Sequence, residues 1–449
     1  MNLHPLLTAR AEEGRPVRVG LIGAGKFGSM FLAQARTTVG VHVLGVADLD
    51  PDKARQAFSA TGWPDEQVLA NSFASAFERA TTMITDDAVD LIAADGLDVV
   101  VDASGDPAAG IRHHAACCAH GRHLVMVNVE ADALAGPLLA KRARDAGIVY
   151  SLAYGDQPAL ICEQVDWARA CGFEVVAAGK GTRYLPHFHA STPDTVWEHY
   201  AGRFTAEQAE ASGMNPKMFN SFLDGTKSGI EMTAVANATG LTPAPSGLTF
   251  PPCPVDELAS TLIPEADGGT LHHKGQVEVI AGEARDGAVL DNHLRWGVFV
   301  TFEAASDYVE RCFAEYGLIT DASGRYSALW RPFHLIGLEL GISVAHAALL
   351  GQPTGTAKAF NADVVATAKR DLKAGEILDG EGGYRVWGRL MTAVESLAVD
   401  ALPIGLATGV TLQADIPEGG TVAWSDVDID ETVGAAAFRR EMEREFAPL

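Results

Sequence analysis

Residues 15–50 read RPVRVGLIGAGKFGSMFLAQARTTVGVHVLGVADLD, and the fold turns on how this stretch is understood. Val17–Ile22 is a short apolar run with little polar alternation, the pattern of a strand covered on both faces. It breaks at Gly23-Ala24-Gly25, and Lys26–Ala35 follows with helical spacing that includes Gly28. The glycines have separate tasks. Gly23 permits the tight turn, Gly25 lets the main chain approach a pyrophosphate, and Gly28 lets the helix pack close to the strand. The amides at the helix start, at Lys26 and Phe27, then face an anion. A second apolar run, Val41–Ala47, ends in Asp48, whose carboxylate is placed to accept hydrogen bonds from a ribose diol. A glycine fingerprint alone is weak. Set between a strand and a helix, with the acid where the motif needs it, it predicts a dinucleotide site.

The bulk properties narrow the partners. A chain of 449 residues has room for two to four domains, and 47% apolar with 20% charged residues describes a globular protein. The net charge of -24 repels phosphate backbones and anionic lipid heads, which argues against nucleic acid and membrane surfaces and leaves a small anionic substrate needing a local cluster of cations. Six cysteines, at 117, 118, 162, 171, 253 and 312, show no paired spacing and read as thiols of a reducing compartment, the cytoplasm. The first residues, MNLHPLLTARAEEGRP, lack the apolar core of a signal peptide, and the apolar stretch 335–350 contains Glu339 and His346 and is short for a bilayer.

Outward from the opening stretch, strand and helix alternate to about residue 155, the sign of a parallel, doubly wound Rossmann sheet in an α/β fold. Pro51–Ala60 reads as a helix, and 97–103 (LDVVVDA) as a strand ending in Ser104-Gly105-Asp106-Pro107 beside the cofactor. The helix 108–120 carries His113 and Cys117 at a spacing that two metal ligands can use, although two do not make a site. Strands at 124–128 and 148–153 end in Val129-Glu130-Ala131-Asp132 and Tyr154-Gly155-Asp156-Gln157-Pro158, turning acidic groups toward the cofactor edge. From 156 to 355 the pattern is irregular: a strand at 173–178 leading to Gly179-Lys180-Gly181-Thr182-Arg183, an apolar helix near 230–238, antiparallel strands at 277–280 and 296–302, and a buried helix within ALWRPFHLIGLELGISVAHAAL. From 356 to 449 short strands with AGE and PEGG turns form a small β-rich module closed by a charged helical tail, FRREMEREF. Three domains are therefore expected: a Rossmann domain over 1–155, an α+β catalytic and dimerisation domain over 156–355, and the β-rich module over 356–449.

The strings GLIGAGKFG, VVVDASGDP, VNVEADALAGPLLA, YSLAYGDQPALI, GKGTRYLP, NPKMFNSFLDGTKSGIEM, RPFHLIGLELGISV and ATAKRDLKAGEILDGEGG resemble the homoserine dehydrogenase-like oxidoreductases with a C-terminal SAF domain. They are most similar to the branch called deoxyxylulose-5-phosphate reductoisomerase-like. The resemblance implies a homodimer built through the central domain, a nicotinamide cofactor, and NADPH-dependent conversion of 1-deoxy-D-xylulose 5-phosphate to 2-C-methyl-D-erythritol 4-phosphate, a step of isoprenoid biosynthesis. Two departures stand out. Val129 and Glu130 occupy the place where homoserine dehydrogenases carry a lysine after the strand-ending Asn, and Lys227 replaces an uncharged residue.

Breaking and remaking a C–C bond before reduction requires a base, a stabiliser for the developing oxyanion and a phosphate anchor. Lys180 is expected as an oxyanion or phosphate contact, with glycine on both sides and nothing bulky to shield it. Asp224, Lys227 and Glu231 are spaced to share a helix face, where the ordinary alternative is a helix salt bridge. Glu130 and Asp156 complete the expected catalytic set. Ser104, Gly105, Gln157 and Pro158 join the glycine turn and Asp48 in holding the cofactor, and Arg183, Asn220 and His334 are the expected substrate contacts. Glu130, Asp156 and Glu231 are also carboxylates of the kind that cradle a divalent cation. His187 and His189 have packing as their ordinary reading. Asp48 favours the free ribose of NAD, whereas Lys53, Arg55 and the resemblance favour NADP, so NADP is expected with NAD as the alternative. Two other functions fit the same residues: a dehydrogenase of a small hydroxy acid without rearrangement, and a non-catalytic protein binding a dinucleotide or carbohydrate.

Overall fold

The computed structural model describes residues 2–200, 205–211, 214–245 and 247–447. The chain divides into two compact units, 1–160 with 334–358, and 161–333 with 359–449.

The first unit is built on a six-stranded parallel sheet of β1 (Val17–Ile22), β2 (Val41–Ala47), β3 (Met83–Thr85), β4 (Val99–Asp102), β5 (His123–Met126) and β6 (Tyr150–Leu152), in the order β3-β2-β1-β4-β5-β6. This is the doubly wound topology, and the strand order reverses between β1 and β4, where ligands of such sheets bind. Local chemistry sets the helix starts that face this edge. Asp50 and Asp106 accept hydrogen bonds from the first-turn amides of Pro51–Ala60 and Pro107–His120, each of which begins with proline. Gly121, in the left-handed region at φ 65°, ends the latter helix. Leu21, Val19, Phe31 and Leu32 lie in the core, joined by Leu340 and Val344 from the 334–358 segment. The apolar stretch 335–350 thus packs in the first unit, where it is helical only from Gly341 onward. The beginning of ALWRPF is strand and not helix, because its residues pair with a neighbouring strand of the second unit.

The second unit has a four-stranded sheet of β7 (Glu174–Thr182), β8 (Gln276–Ala281), β9 (Val298–Glu303) and β10 (Tyr326–Arg331), ordered β10-β9-β7-β8. It is mixed, not antiparallel as expected: β7 and β8 run parallel, since a long connection and not a hairpin joins them. The strand expected to stop at residue 178 continues to Thr182, placing Lys180 inside β7. The Thr226–Thr239 helix is buried along nearly its whole length. A Cβ on its Gly229 would lie 2.9 Å from the carbonyl oxygen of Gly388, so glycine lets the helix approach the β-rich module.

That module contains a two-stranded ribbon of β11 (Ala362–Ala368) and β13 (Val386–Thr392), and a three-stranded sheet of β12 (Ile377–Asp379), β14 (Thr408–Leu412) and β15 (Val427–Asp428). The charged tail is the helix Gly434–Phe446, and its Arg439 is fully buried between Asp363 and Glu443 at 2.6 and 2.8 Å. No helix among the described residues is long and apolar enough to cross a membrane.

Candidate functional site

In the first unit the glycine turn has the expected geometry. Gly23 adopts φ 92°, and a Cβ there would meet the Ala103 carbonyl oxygen at 2.6 Å. A Cβ on Gly28 would lie 2.1 Å from the Gly23 carbonyl oxygen, a main-chain clash that leaves only glycine at this position. Gly25 is different: only the Lys53 ammonium, at 4.0 Å, comes near where its Cβ would be. The turn is therefore closed toward the sheet and open at the start of the ten-residue Lys26–Ala35 helix, where main-chain amides offer an anion site. Those features fit a pyrophosphate. Lys26 is exposed and Phe27 half-buried.

Asp48 does more than wait for a ribose. Its Oδ2 accepts from the Ala24 amide at 2.7 Å and its Oδ1 from the Asp50 amide at 3.0 Å, bracing the turn, while Lys53 Nζ stands 3.9 Å from Oδ2. A carboxylate has lone pairs for about four hydrogen bonds, so acceptor capacity remains for a ligand.

Beyond β4, Ser104 and Gly105 are exposed, and the Ser104 amide donates to Asp102 Oδ1 at 2.9 Å. Beyond β5 the chain turns earlier than expected. β5 ends at Met126, and Asn128 caps the helix Val129–Asp145, leaving Glu130 half-buried in its first turn. Asp132, expected to point its charge at the cofactor edge, is instead fully buried in the first turn of this helix, with the Tyr150 hydroxyl donating to it at 2.8 Å. Helical periodicity turns residues 130 and 132 to different sides. Burial raises the Asp132 carboxyl to about 7 against the lowering effect of Tyr150. Asp156 is half-buried and its Oδ1 accepts from the Gln157 amide at 2.9 Å. Gln157 and Pro158 are buried in the first turn of Gln157–Ala170, and His334 is half-buried in the same unit.

His113, expected as half of a possible metal pair, is directed at Asp102: its Nδ1 lies 2.8 Å from the fully buried carboxylate that ends β4, while Cys117 is buried. Among the described residues no group of three or more His, Cys, Asp or Glu side chains is arranged to hold a metal.

In the second unit, expected site residues enter two buried ion pairs. Lys180, from β7, meets Glu231 of the Thr226–Thr239 helix, with side-chain exposures of 7% and 5%. Asp224 meets a lysine that the sequence reading passed over, Lys369, at 2.8 Å, with exposures of 0% and 2%. The second pair is saturated. Lys369 Nζ also donates to the carbonyls of Ser191 and Gly383 at 2.7 Å each, and Asp224 Oδ1 accepts from the Thr226 amide at 2.9 Å. Asp224 therefore ties the central segment to the β-rich module and does not share one exposed face with Lys227 and Glu231. It follows the Pro216–Leu223 helix, and Gly225 at φ 93° turns the chain before the next helix begins. Lys227 is half-buried.

Two expected substrate contacts are also engaged. Arg183 Nε lies 3.1 Å from Glu283, and its Nη1 donates to the His199 carbonyl. Asn220 is fully buried: its amide donates to the carbonyls of Ser191 and Gly382 at 3.1 and 3.0 Å, and its oxygen accepts from the Ser191 hydroxyl at 2.6 Å. Both amide protons are thereby taken by main-chain carbonyls, so Asn220 ties the central segment to the β-rich module. His187 is exposed, whereas His189 sits in a wall of rings, stacked on Trp387 at 3.9 Å. The Asp224 carbonyl requires His189 Nδ1 to donate, at 2.7 Å, which leaves Nε2 to accept from the Tyr184 hydroxyl at 3.0 Å. Burial lowers this imidazole and keeps it neutral. The only sequence signal for Lys369 was its position in ATAKRDLKAGE, at the end of an apolar run, which names no partner.

Residues 155–340 match the family model described as oxidoreductase DRL, catalytic domain. Among curated proteins none matches the chain. Among solved structures, a probable dehydrogenase from Thermotoga maritima is similar at 14% identity, covering 72% of this chain and 69% of that one, with a TM-score of 0.32. An oxidoreductase from Agrobacterium radiobacter, solved with NAD+, L-tartaric acid and magnesium, is 15% identical over 37% of this chain and 44% of that one, with a TM-score of 0.27. A myo-inositol dehydrogenase from Lactobacillus casei, solved with NAD(H) and myo-inositol, is 16% identical over 40% and 50%, with a TM-score of 0.28. The chain thus spans half or less of the length of the last two.

Proposed function

We propose that this protein is an NAD(P)-dependent oxidoreductase. The observation that carries the reading is the glycine turn, in which Gly28 admits no side chain while Gly25 leaves the helix start open to a pyrophosphate. The match of residues 155–340 to an oxidoreductase catalytic domain supports it from an independent part of the chain. NADP is the preferred form and NAD the alternative. Lys53, close to both Asp48 and Gly25, offsets the acid that would otherwise repel a 2′-phosphate.

When bound, the nicotinamide exchanges a hydride with a carbonyl carbon. The chain's own contribution is assigned to Lys180 and Glu231. In a poorly hydrated setting the ammonium stabilises negative charge on the substrate oxygen, and the carboxylate receives or returns the proton. Asp224 is left out of this chemistry, because Lys369 and the Thr226 amide engage it in a site closed to solvent.

Within this class the reading is reductoisomerisation of 1-deoxy-D-xylulose 5-phosphate by a cytoplasmic homodimer. Its support is the resemblance carried by GKGTRYLP and NPKMFNSFLDGTKSGIEM, strings that contain Lys180 and Glu231 and lie inside the matched segment. One observation favours a second reading. Arg183, an expected substrate contact and one of the cations that would draw in an anion, is engaged by Glu283 and His199, as suits an unphosphorylated hydroxy acid better. The test is absorbance of NADPH with 1-deoxy-D-xylulose 5-phosphate, followed by a panel of hydroxy acids with NAD+ and NADP+. Oxidation of NADPH with the ketose phosphate selects the first reading, turnover only in the panel selects the second, and inactivity across both at high enzyme concentration removes both.

A further inference from the structure

A cavity of about 260 Å³ lies within the second unit, walled by His189, Phe250, Trp387 and aliphatic side chains of the central segment and the β-rich module. Its floor follows from strand register. Trp387 and Arg389 are two apart on β13 and share a face, and Thr367 of β11 pairs directly with Trp387, bringing it to the same face. Three rings line it. His189 stacks on Trp387 at 3.9 Å, and Phe250 is backed from outside the lining by Tyr184, stacked on it at 3.9 Å with an interplanar angle of 12°. Phe250 holds φ 51°, an unfavourable conformation for a bulky residue and one that clusters at ligand sites.

Two polar groups in the lining are unspent. The Thr367 hydroxyl is buried, in a residue 1% exposed, and has no hydrogen-bond partner among the described residues. Arg389 is half-buried and forms no ion pair or hydrogen bond among the described residues, in contrast to Arg183, Arg385, Arg439 and Arg440 of the same unit, which all meet carboxylates. A buried orphan hydroxyl is costly, and a half-buried guanidinium without a counter-ion attracts an anion, so a ligand that meets both groups is favoured. The volume lies just below the roughly 300 Å³ at which sites for drug-sized molecules begin, so the occupant has about one ring.

We propose that this cavity binds a small aromatic carboxylate, with the ring among His189, Phe250 and Trp387, the carboxylate on Arg389, and the Thr367 hydroxyl donating to it. Arginine matches a carboxylate in a two-point, charge-assisted contact that a neutral amide cannot reproduce. The lining includes neither Lys180 nor Glu231, and occupancy requires no nicotinamide.

The test is calorimetric titration of the full-length protein, without cofactor, using benzoate and its neutral isostere benzamide as probes. Benzoate is expected to bind saturably, benzamide at least tenfold more weakly, and benzoate to Arg389→Met at least tenfold more weakly than to the unaltered protein. Thr367→Val should weaken benzoate by severalfold. Absence of benzoate binding up to about 10 mM, or equal affinities for benzoate and benzamide, overturns the proposal. The comparison of probes uses the unaltered chain and stands even where Arg389→Met fails to fold. Failure here leaves the oxidoreductase reading untouched, because no catalytic turnover is measured.

Discussion

Lys369→Met isolates the ion pair that the structure removes from the chemistry. The substitution keeps most of the apolar stem and deletes a charge whose three donors meet Ser191, Gly383 and Asp224 at 2.7 to 2.8 Å. With 0% exposure the Asp224 side chain cannot turn to water, so the variant buries a lone carboxylate. Removing one partner of such a pair costs roughly 3–5 kcal/mol, a large share of the 5–15 kcal/mol that holds a typical domain. The assay is urea unfolding followed by circular dichroism, with Asp224→Asn and the double variant completing a cycle. The double variant should be distinctly less destabilised than the sum of the two single changes, since it buries no unpaired charge. A loss under about 1 kcal/mol for Lys369→Met, or strict additivity, would show that water reaches the pair and that Asp224 is available for catalysis after all.

Lys180→Met is expected to lower kcat by at least about a hundredfold while the dissociation constant for NADPH stays within about twofold; an unchanged kcat removes Lys180 from the reaction. Gly28→Ala, whose methyl would sit 2.1 Å from the Gly23 carbonyl oxygen, should abolish NADPH binding in a fluorescence titration, and retained affinity would mean that the turn holds no dinucleotide. Asp132 supplies a pH test. Its folded-state carboxyl is raised from 3.8 to about 7, so the native state keeps the proton longer than the unfolded chain does. The stabilisation is complete below about pH 4 and fades as pH rises toward 7, at roughly 1.4 kcal/mol per unit. Asp132→Asn lacks this slope, so the wild type should lose stability relative to the variant between pH 5 and pH 8, and a constant difference between them refutes the assignment.

The first unit was legible because its signals are local. Val17–Ile22, Lys26–Ala35, Val41–Ala47 and Pro51–Ala60 occur in the structure with the bounds read from the chain, since burial on both faces, a glycine break and a proline-led helix start each act within a few residues. The reading weakened where pairing decides. The 326–331 segment became β10 because β9 lies beside it, and the second sheet mixed its directions because of connections that no local pattern records. Lys180 was marked by its flanking glycines but not as half of a buried pair with Glu231.

The sequence by itself determined a doubly wound nucleotide-binding sheet and the glycine turn that equips it, because steric demands on φ and on close main-chain approach are written residue by residue. Tertiary structure alone decided which charges neutralise one another. Lys369 reaches Asp224 across 145 positions of chain, Arg183 is taken by Glu283, and Arg389 is left facing a cavity. Ion pairing depends on distance in space and on exclusion of water, and neither is a property of neighbours along the chain.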